Sequence, residues 1–383
     1  MSAYRFHTVR ELRVGPGASR EAGEICSQLG IKRALIVTDP GLVSLGLVDP
    51  VHAALEKACE TVRVFSAVTA DPSESVVLDA LKASEASQVD GVIGLGGGSS
   101  MDVAKAVAVL AAGKQELAEL YGVDQVSGGR LPLILIPTTA GTGSEVTPVA
   151  VITTGKTTKA GISSAKLLPD AAVLDAELTV GLPAHVTAMT GIDAMVHAIE
   201  AYTSKVKKNP LSDMLARQSL SLLATHQRRV LTHPEDLVAR EAMLLGATLA
   251  GQAFANAPVA AVHALAYPLG GHYHMPHGLT NALMLPAVLR FNASVSERDY
   301  LELARLLPQP RAEGFEGFVM WFEQLIADSG LPTSLADAKV PEDDLPMLAA
   351  DAMNQQRLLV NNPVAVDEAA AFALYQRAWR GSS

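Results

Sequence analysis

Cysteine, aromatic residues and charge are all scarce in this 383-residue chain. The two cysteines, Cys26 and Cys59, lie far apart in neither a CxxC nor a metal-ligand spacing, which argues against a disulfide scaffold and a zinc knuckle. We expect both to be ordinary core thiols. Aromatic residues make up 4% and charged residues 18%, against 49% hydrophobic, so the core is expected to be aliphatic.

Basic runs and long apolar runs are also missing. The formal net charge is −10, and no Lys/Arg cluster is long enough to follow a phosphate backbone, so nucleic acid is not expected as a partner. No stretch reaches the roughly 18 uninterrupted apolar residues that a membrane span needs, and the N-terminus lacks the apolar segment of a secretory signal. We therefore expect no membrane partner and a cytoplasmic location.

What the sequence does contain is two halves of different character, in a chain too long for one core. Four continuous apolar runs are typical of strands buried on both faces: 33–38, 61–68, 91–96 and 133–138. Helical spacing between them predicts an α/β domain with a Rossmann-like parallel sheet. Beyond Leu182 only helical periods are evident. We predict an α/β domain over 1–183 and an all-α domain over 184–383.

Two glycine-rich segments follow predicted strands in the first half. The glycine loop, residues 96–100 (GGGSS), leads into a helical pattern, where glycines let the backbone approach an anion and the helix amides attract it. The threonine loop, residues 138–145 (TTAGTGSE), follows the next strand and offers hydroxyl and backbone donors. The glycine loop is not a GxGxxG fingerprint, so a plain turn or loop stays open for each segment. Together, at the carboxyl ends of parallel strands, they indicate a dinucleotide site.

An acidic residue also follows the first predicted strand. Asp39 stands in the segment TDPG, where a carboxylate accepts hydrogen bonds from an adenosine ribose and repels a 2′-phosphate. This position favours NAD over NADP. The alternative is an aspartate that starts a turn before Pro40.

The second half carries a pattern typical of metal ligands. Asp193 and His197 are four residues apart in an otherwise apolar helical segment and project from one face, although a capping Asp and a satisfied core His would look alike. The segment from His263 to His277 holds four of the ten histidines, and its Gly/Pro-interrupted middle lets the chain double back. We predict a divalent metal site on Asp193, His197, His263 and His277. Three imidazoles and one carboxylate suit Fe²⁺, Zn²⁺, Co²⁺ or Ni²⁺ alike.

These motifs resemble the iron-containing, or group III, alcohol dehydrogenases, which share a dehydroquinate synthase-like fold. The resemblance covers nearly the whole chain and rests on five ordered motifs: GLGGGSSMDVAK at 94–105, IPTTAGTGSEVT at 136–147, KLLPDAAVLDAELT at 166–179, GIDAMVHAIEAY at 191–202 and HALAYPLGGHYHMPHG at 263–278. It implies an α/β dinucleotide-binding domain, an all-helical domain, and a cleft between them for cofactor and metal, with Fe²⁺ favoured.

The resemblance also implies individual residues. The same four metal ligands carry over, and the implied NAD contacts are Asp39, Gly97, Gly98, Ser99, Thr138, Thr139, Thr142, Thr147 and Lys159. Some relatives have a histidine, a proton-relay candidate, where this chain has Tyr267. Tyr267 and His272 are therefore the candidate catalytic proton carriers, with relay through the NAD ribose and water as the alternative.

The function expected from these residues is NAD-dependent and metal-dependent oxidation of small primary alcohols or diols, and the reverse aldehyde reduction, by hydride transfer. A glycerol-type or hydroxy-acid dehydrogenase on the same scaffold is the alternative. A dehydroquinate-synthase-like lyase is less favoured, because the apolar segment 254–259 before His263 offers no basic pocket for a phosphate-bearing substrate. A non-catalytic nucleotide-binding regulator is less favoured, since both loops and all four ligands are present. A homodimer or larger homo-oligomer is the default expectation.

Overall fold

The computed structural model describes residues 3–113, 115–155, 158–308 and 313–381. Contacts divide the chain into two compact units: an α/β unit, His7–Gly181, and a helical unit, Leu182–Ser383, with which the N-terminal stretch ending at Phe6 is grouped. The sequence placed that short stretch with the α/β domain. The boundary at 183 as a border between independently folding domains stays a prediction.

A six-stranded sheet forms the centre of the α/β unit, and all its strand pairs are parallel. In chain order its strands are β1 Glu11–Val14, β2 Arg33–Val37, β3 Thr61–Phe65, β4 Gly91–Gly96, β6 Leu133–Pro137 and β9 Ala171–Leu174. The strands lie side by side in the order β3-β2-β4-β6-β9-β1. This confirms the predicted Rossmann-like parallel sheet. Strands β4 and β6 are buried at every position, as continuous apolar runs require.

The same unit contains a smaller, three-stranded sheet. Its first strand precedes β6 in the sequence, and the other two lie between β6 and β9. It contains β5 Gly122–Val123, β7 Val149–Thr154 and β8 Thr158–Ser163, with β7 and β8 antiparallel. The α-helices of the unit are α1 Ala22–Leu29, α2 Pro40–Ser44, α3 Asp49–Glu56, α4 Glu74–Ala86 and α5 Gly98–Ala112. Two aliphatic clusters pack around the large sheet, one of them against α5, which is buried along most of its length.

The helical unit confirms the predicted all-α second half. Its α-helices are α6 Ala184–Thr203, α7 Pro210–Thr232, α8 Leu237–Asn256, α9 Ala261–Tyr273, α10 His277–Ala304, α11 Gly314–Asp328, α12 Leu345–Ala352, α13 Gln356–Leu359 and α14 Glu368–Arg380. Helix α6 is buried on nearly all sides and packs against α7, α8 and α10. Among the described residues, no helix combines the length and the apolar character required to cross a membrane.

Candidate metal and dinucleotide sites

Three helices of the helical unit deliver the four predicted metal ligands. Helix α6 carries Asp193 and His197 one turn apart, α9 carries His263, and α10 begins at His277. The chain reverses between α9 and α10 at His274, whose φ of 54° is left-handed. Pro276 then precedes the first residue of α10. The Gly/Pro-interrupted segment noted in the sequence therefore contains the turn that brings His277 back towards His263.

The four ligand side chains, which we call the His/Asp quartet, converge on one point. One ligand atom from each lies within 4.8 Å of all the others. From Asp193 Oδ1 the Nε2 atoms of His197, His263 and His277 are 3.9, 3.9 and 3.7 Å away. Three of these side chains are buried, whereas that of His277 is 32% exposed. Separations of this size, with three imidazoles and one carboxylate, fit a single divalent ion.

The electrostatics of Asp193 favour its ionised form. Burial opposes ionisation, but the positive charge of the three surrounding histidines when they are protonated, together with the hydrogen bond from the Asn281 amide, outweighs burial and holds the Asp193 pKa below its ordinary value. An ionised carboxylate is what a divalent cation needs as a ligand.

A second carboxylate orients one of the histidines. Glu200 on α6 is buried, and its Oε2 lies 2.6 Å from His263 Nδ1. The same carboxylate accepts hydrogen bonds from the backbone amides of Ala260 and Val262, at the start of α9. Because a carboxylate only accepts, Nδ1 of His263 carries the proton and Nε2 faces the quartet with a lone pair.

Glu200 and Asn281 were not predicted from the sequence. Glu200 follows His197 by three residues, and Asn281 follows His277 by four, so each shares a helix face with a predicted ligand. The signal that could have found Glu200 is a charged residue inside the apolar segment AMVHAIEAY.

The two predicted proton carriers have different surroundings. The ring of Tyr267 on α9 lies 5.8 Å from that of His277, so it borders the quartet. His272 Nε2 instead lies 2.9 Å from Asp351 Oδ2, in a half-exposed pair. These contacts place Tyr267, rather than His272, beside the predicted ligands.

In the α/β unit the two loops predicted to hold a dinucleotide lie against each other. Their strands β4 and β6 are neighbours, with Gly96 opposite Pro137. Gly98 opens α5, and a Cβ added there would stand 2.9 Å from Thr142 Cγ2. A Cβ added at Gly97 would lie 3.7 Å from the Thr139 side chain. Gly98 is therefore needed for the close approach of the two loops, at the N-terminus of a 15-residue helix, which attracts phosphate.

The carboxyl end of β2 borders β4 in the same sheet. Asp39 lies there, and its Oδ1 accepts a hydrogen bond from Leu42 N at 3.0 Å, which caps α2. One oxygen of the Asp39 carboxylate thus starts the turn before α2, as the alternative interpretation of the sequence proposed. Beside it, the buried Thr38 hydroxyl has no hydrogen-bond partner among the described residues, an atom that fits contact with a bound polar group.

Other predicted NAD residues have structural partners. Thr138 is buried, its amide bonds to Gly96 O, and Ser99 lies in the first turn of α5. Thr147 Oγ1 accepts a hydrogen bond from Lys105 Nζ at 3.2 Å. Lys159 on β8 pairs with Asp71 at 2.5 Å.

Lys105 connects the two loop regions from inside. Its fully buried ammonium donates to Ser144 Oγ and to the Val149 carbonyl, both at 2.7 Å, and lies 3.8 Å from Asp102 Oδ1. Asp102 in turn accepts hydrogen bonds from Ser144 Oγ and from Val151 N. This network joins α5 to the end of the threonine loop.

Comparison with known proteins decides the family. Residues 10–176 match the family described as "Iron-containing alcohol dehydrogenase", and residues 187–379 match "Fe-containing alcohol dehydrogenase family, C-terminal". The chain belongs to the iron-containing alcohol dehydrogenase family. Its cofactors are NAD and iron or another divalent metal, and it is an oxidoreductase of CH–OH groups.

Individual relatives of this iron-containing alcohol dehydrogenase span the whole chain. Long-chain-alcohol dehydrogenase 1 of Geobacillus thermodenitrificans is 40% identical over 377 residues, which cover 96% of this chain and 95% of the relative. A crystal structure of 1,3-propanediol oxidoreductase is similar with a TM-score of 0.95 and 35% identity, covering 99% and 100% of the two chains. Sulfoacetaldehyde reductase from Bifidobacterium kashiwanohense in complex with NAD⁺ has a TM-score of 0.89 and 28% identity, covering 98% of each chain.

Proposed function

We propose that this chain interconverts small primary alcohols or diols and their aldehydes, with NAD bound at the two loops and a divalent ion at the His/Asp quartet. The observation that carries the proposal is the quartet itself, with ligand atoms within 4.8 Å of one another inside a mostly buried site. Fe²⁺ is the favoured ion, in keeping with the family description. Zn²⁺, Ni²⁺ and Co²⁺ suit the same donors.

The chemistry that the chain itself lacks comes from its cofactors: the bound ion acts as a Lewis acid towards an alcohol or carbonyl oxygen, and NAD takes or gives the hydride. The residues hold and orient these groups. Glu200 fixes the tautomer of His263, so that its Nε2 faces the quartet. Tyr267, bordering His277, is the better placed of the two candidate proton carriers.

The cofactor side of the proposal rests on the α/β unit. Gly97, Gly98 and Ser99 at the start of α5 would receive the pyrophosphate. The predicted NAD contacts Thr138, Thr139, Thr142, Thr147 and Lys159 follow β6 or lie on the strands after it. Asp39 would accept hydrogen bonds from the ribose and disfavour NADP.

Uncharged substrates are favoured over hydroxy acids. The ring of Phe254 lies 4.5 Å from that of His197, and Tyr267 lies on the His277 side, so aromatic surface flanks the quartet. Of the three relatives described above, two are named for uncharged substrates, a long-chain alcohol and 1,3-propanediol, whereas the third is named for the anionic sulfoacetaldehyde.

An anaerobic activity screen tests this function. Chelated protein is reloaded separately with Fe²⁺, Zn²⁺, Ni²⁺ or Mn²⁺ and assayed with NAD and with NADP against C2 to C5 alcohols, diols, glycerol, 4-hydroxybutyrate and aldehydes. We expect metal-restored, NAD-linked turnover of a primary alcohol or diol. A preference for glycerol or 4-hydroxybutyrate would support the alternative dehydrogenases, and absence of turnover with every metal would contradict the proposal.

We also propose a homodimer or larger homo-oligomer, the default for soluble enzymes, and a cytoplasmic location. Size-exclusion chromatography with light scattering tests the first, and cell fractionation tests the second.

A further inference from the structure

A neutral side-chain amide lies against the ligand atoms of the His/Asp quartet. Nδ2 of Asn281 is 2.6 Å from Asp193 Oδ1, 3.1 Å from His263 Nε2 and 3.2 Å from His277 Nε2. The side chain is fully buried on α10. Three of the four predicted ligand atoms are thus in contact with one NH₂ group.

The contact with His263 occupies the atom that a metal ion would need. Its Nδ1 carries a proton because that nitrogen faces the Glu200 carboxylate at 2.6 Å. The neutral ring then has one lone pair, on Nε2, and this lone pair faces the Asn281 amide. One lone pair does not accept an N–H and bind a metal ion at the same time. The hydrogen bond from Asn281 and ligation by His263 therefore exclude each other.

The other end of the same carboxamide is unsatisfied. Asn281 Oδ1 is buried and has no hydrogen-bond partner among the described residues. Buried acceptors without a partner are costly and rare. The side chain thus directs its donors at the quartet while its acceptor is left without a partner, an arrangement that suits a group able to turn when a cation arrives.

We propose that Asn281 is a displaceable placeholder in the metal site. Its N–H groups hold Asp193, His263 and His277 together in the metal-free protein, and the amide moves aside when a divalent ion binds. Asn281 is a positioning residue: it stabilises the metal-free protein and lowers the affinity for metal. This role rests on the metal site of the proposed function.

The test uses the full chain, stripped of metal, in three forms besides wild type. Asn281→Ala removes the amide, and Asn281→Asp keeps its size but replaces the donor with an oxygen. The matched control is Asn292→Ala, a buried asparagine on the same helix that exchanges hydrogen bonds with Asn362 instead. Zn²⁺ affinity is measured by competition with a chromophoric chelator, and thermal unfolding is followed with and without Zn²⁺.

Both variants at Asn281 are expected to bind Zn²⁺ about 10- to 100-fold more tightly than wild type, since each removes a donor that competes with the ion for Asp193 and the histidines. Their metal-free forms should unfold at a lower temperature, and Zn²⁺ should recover most of the difference. Asn292→Ala should lower the unfolding temperature equally with and without Zn²⁺, at unchanged affinity.

Unchanged or weaker Zn²⁺ binding by Asn281→Ala would overturn the placeholder role while leaving the metal site of the proposed function intact. A wild-type protein that binds no Zn²⁺ at the quartet would overturn both. Should Asn281→Ala fail to fold without metal, the affinity of Asn281→Asp decides by the same criterion.

Discussion

A buried polar cluster lies in each unit, and the two clusters are completed in different ways. In the α/β unit, the Lys105 ammonium and the Asp102 carboxylate are 3.8 Å apart, and Ser144 bridges them. The chain thus supplies its own cation there. In the helical unit the ionised Asp193 faces three imidazoles and an amide, and no Lys or Arg is among its described hydrogen-bond or ion-pair partners.

This difference explains why the Lys105 cluster is structural, whereas the His/Asp quartet is suited to bind a metal ion. A buried carboxylate beside its own lysine needs nothing further, and that network connects α5 to the threonine loop. A buried carboxylate among neutral imidazoles presents several lone pairs to one point, which an external divalent cation satisfies best. A variant that alters one cluster leaves the other cluster intact as a reference.

The largest effect is expected for His263→Ala. This variant should lose metal and activity together, by more than the roughly 100-fold that removal of an outer-shell partner costs, while NAD still binds. Metal content and NADH formation are measured side by side with His226→Ala, a half-buried histidine on α7. Retained turnover by metal-free His263→Ala protein would contradict the account.

Lys105→Met should break the cluster that carries its own cation. The variant leaves a buried carboxylate without its counter-ion, which costs about 3–5 kcal/mol of unfolding free energy. Lys82→Met is the control, because its pair with Asp79 is exposed and worth less than about 1 kcal/mol. Urea unfolding measures both. If both variants lost the same unfolding free energy, Lys105 and Asp102 would not act as a buried pair.

The same lysine predicts a pH dependence. Burial lowers the Lys105 pKa from 10.5 to about 8, partly offset by Asp102 and Glu145. Between these pH values the unfolded chain binds more protons than the folded one, so the Lys105 contribution to the unfolding free energy rises with pH, by at most about 1.4 kcal/mol per unit. Unfolding of wild type and Lys105→Met from pH 7.5 to 10 should differ in slope accordingly. If the unfolding free energies of the two proteins changed with pH in parallel, the lowered pKa of Lys105 would be refuted.

Glu200→Gln should weaken the metal site without removing a ligand. Glutamine has one acceptor oxygen, whereas the Glu200 carboxylate receives His263 Nδ1 and two backbone amides. We expect metal affinity to fall about 10- to 100-fold, measured by chelator competition. An unchanged affinity would mean that this carboxylate only anchors the start of α9.

The smallest effect is expected at Asp39. Asp39→Asn keeps an oxygen that can cap Leu42 and removes the charge. The ratio of kcat/KM for NAD over NADP should fall about tenfold, since repulsion of the 2′-phosphate is lost. Asp39→Gly loses the cap as well, so comparing the two separates helix capping from cofactor choice. If the NAD/NADP ratio were unchanged in both variants, Asp39 would have no role in cofactor choice.

The main fold features were predictable because buried parallel strands have continuous apolar sequences. Strands β2, β3, β4 and β6 all fall within the predicted runs. Strand β1, with the sequence ELRV, is short and only partly buried, so it has no such pattern. Strand β7 alternates half-buried and buried positions over most of its length, β8 has one buried position, and neither strand was predicted.

The convergence of the four predicted metal ligands could be anticipated where residue type and spacing carry the chemistry. Asp193 and His197 reveal a shared helix face by their spacing, and the structure brings His263 and His277 to the same point. The pairing of Glu200 with His263 spans 63 residues and depends on how α6 packs near the start of α9. No local spacing contains that information.

Metal-dependent turnover is the most direct test of the contrast between the two clusters. Chelated wild-type protein, reloaded anaerobically with one equivalent of Fe²⁺, is assayed for NADH formation from a primary alcohol. The account predicts no turnover before reloading and full turnover after it, with none in His263→Ala. Equal turnover of the chelated and reloaded wild-type protein would contradict the claim that the quartet is completed by an external cation.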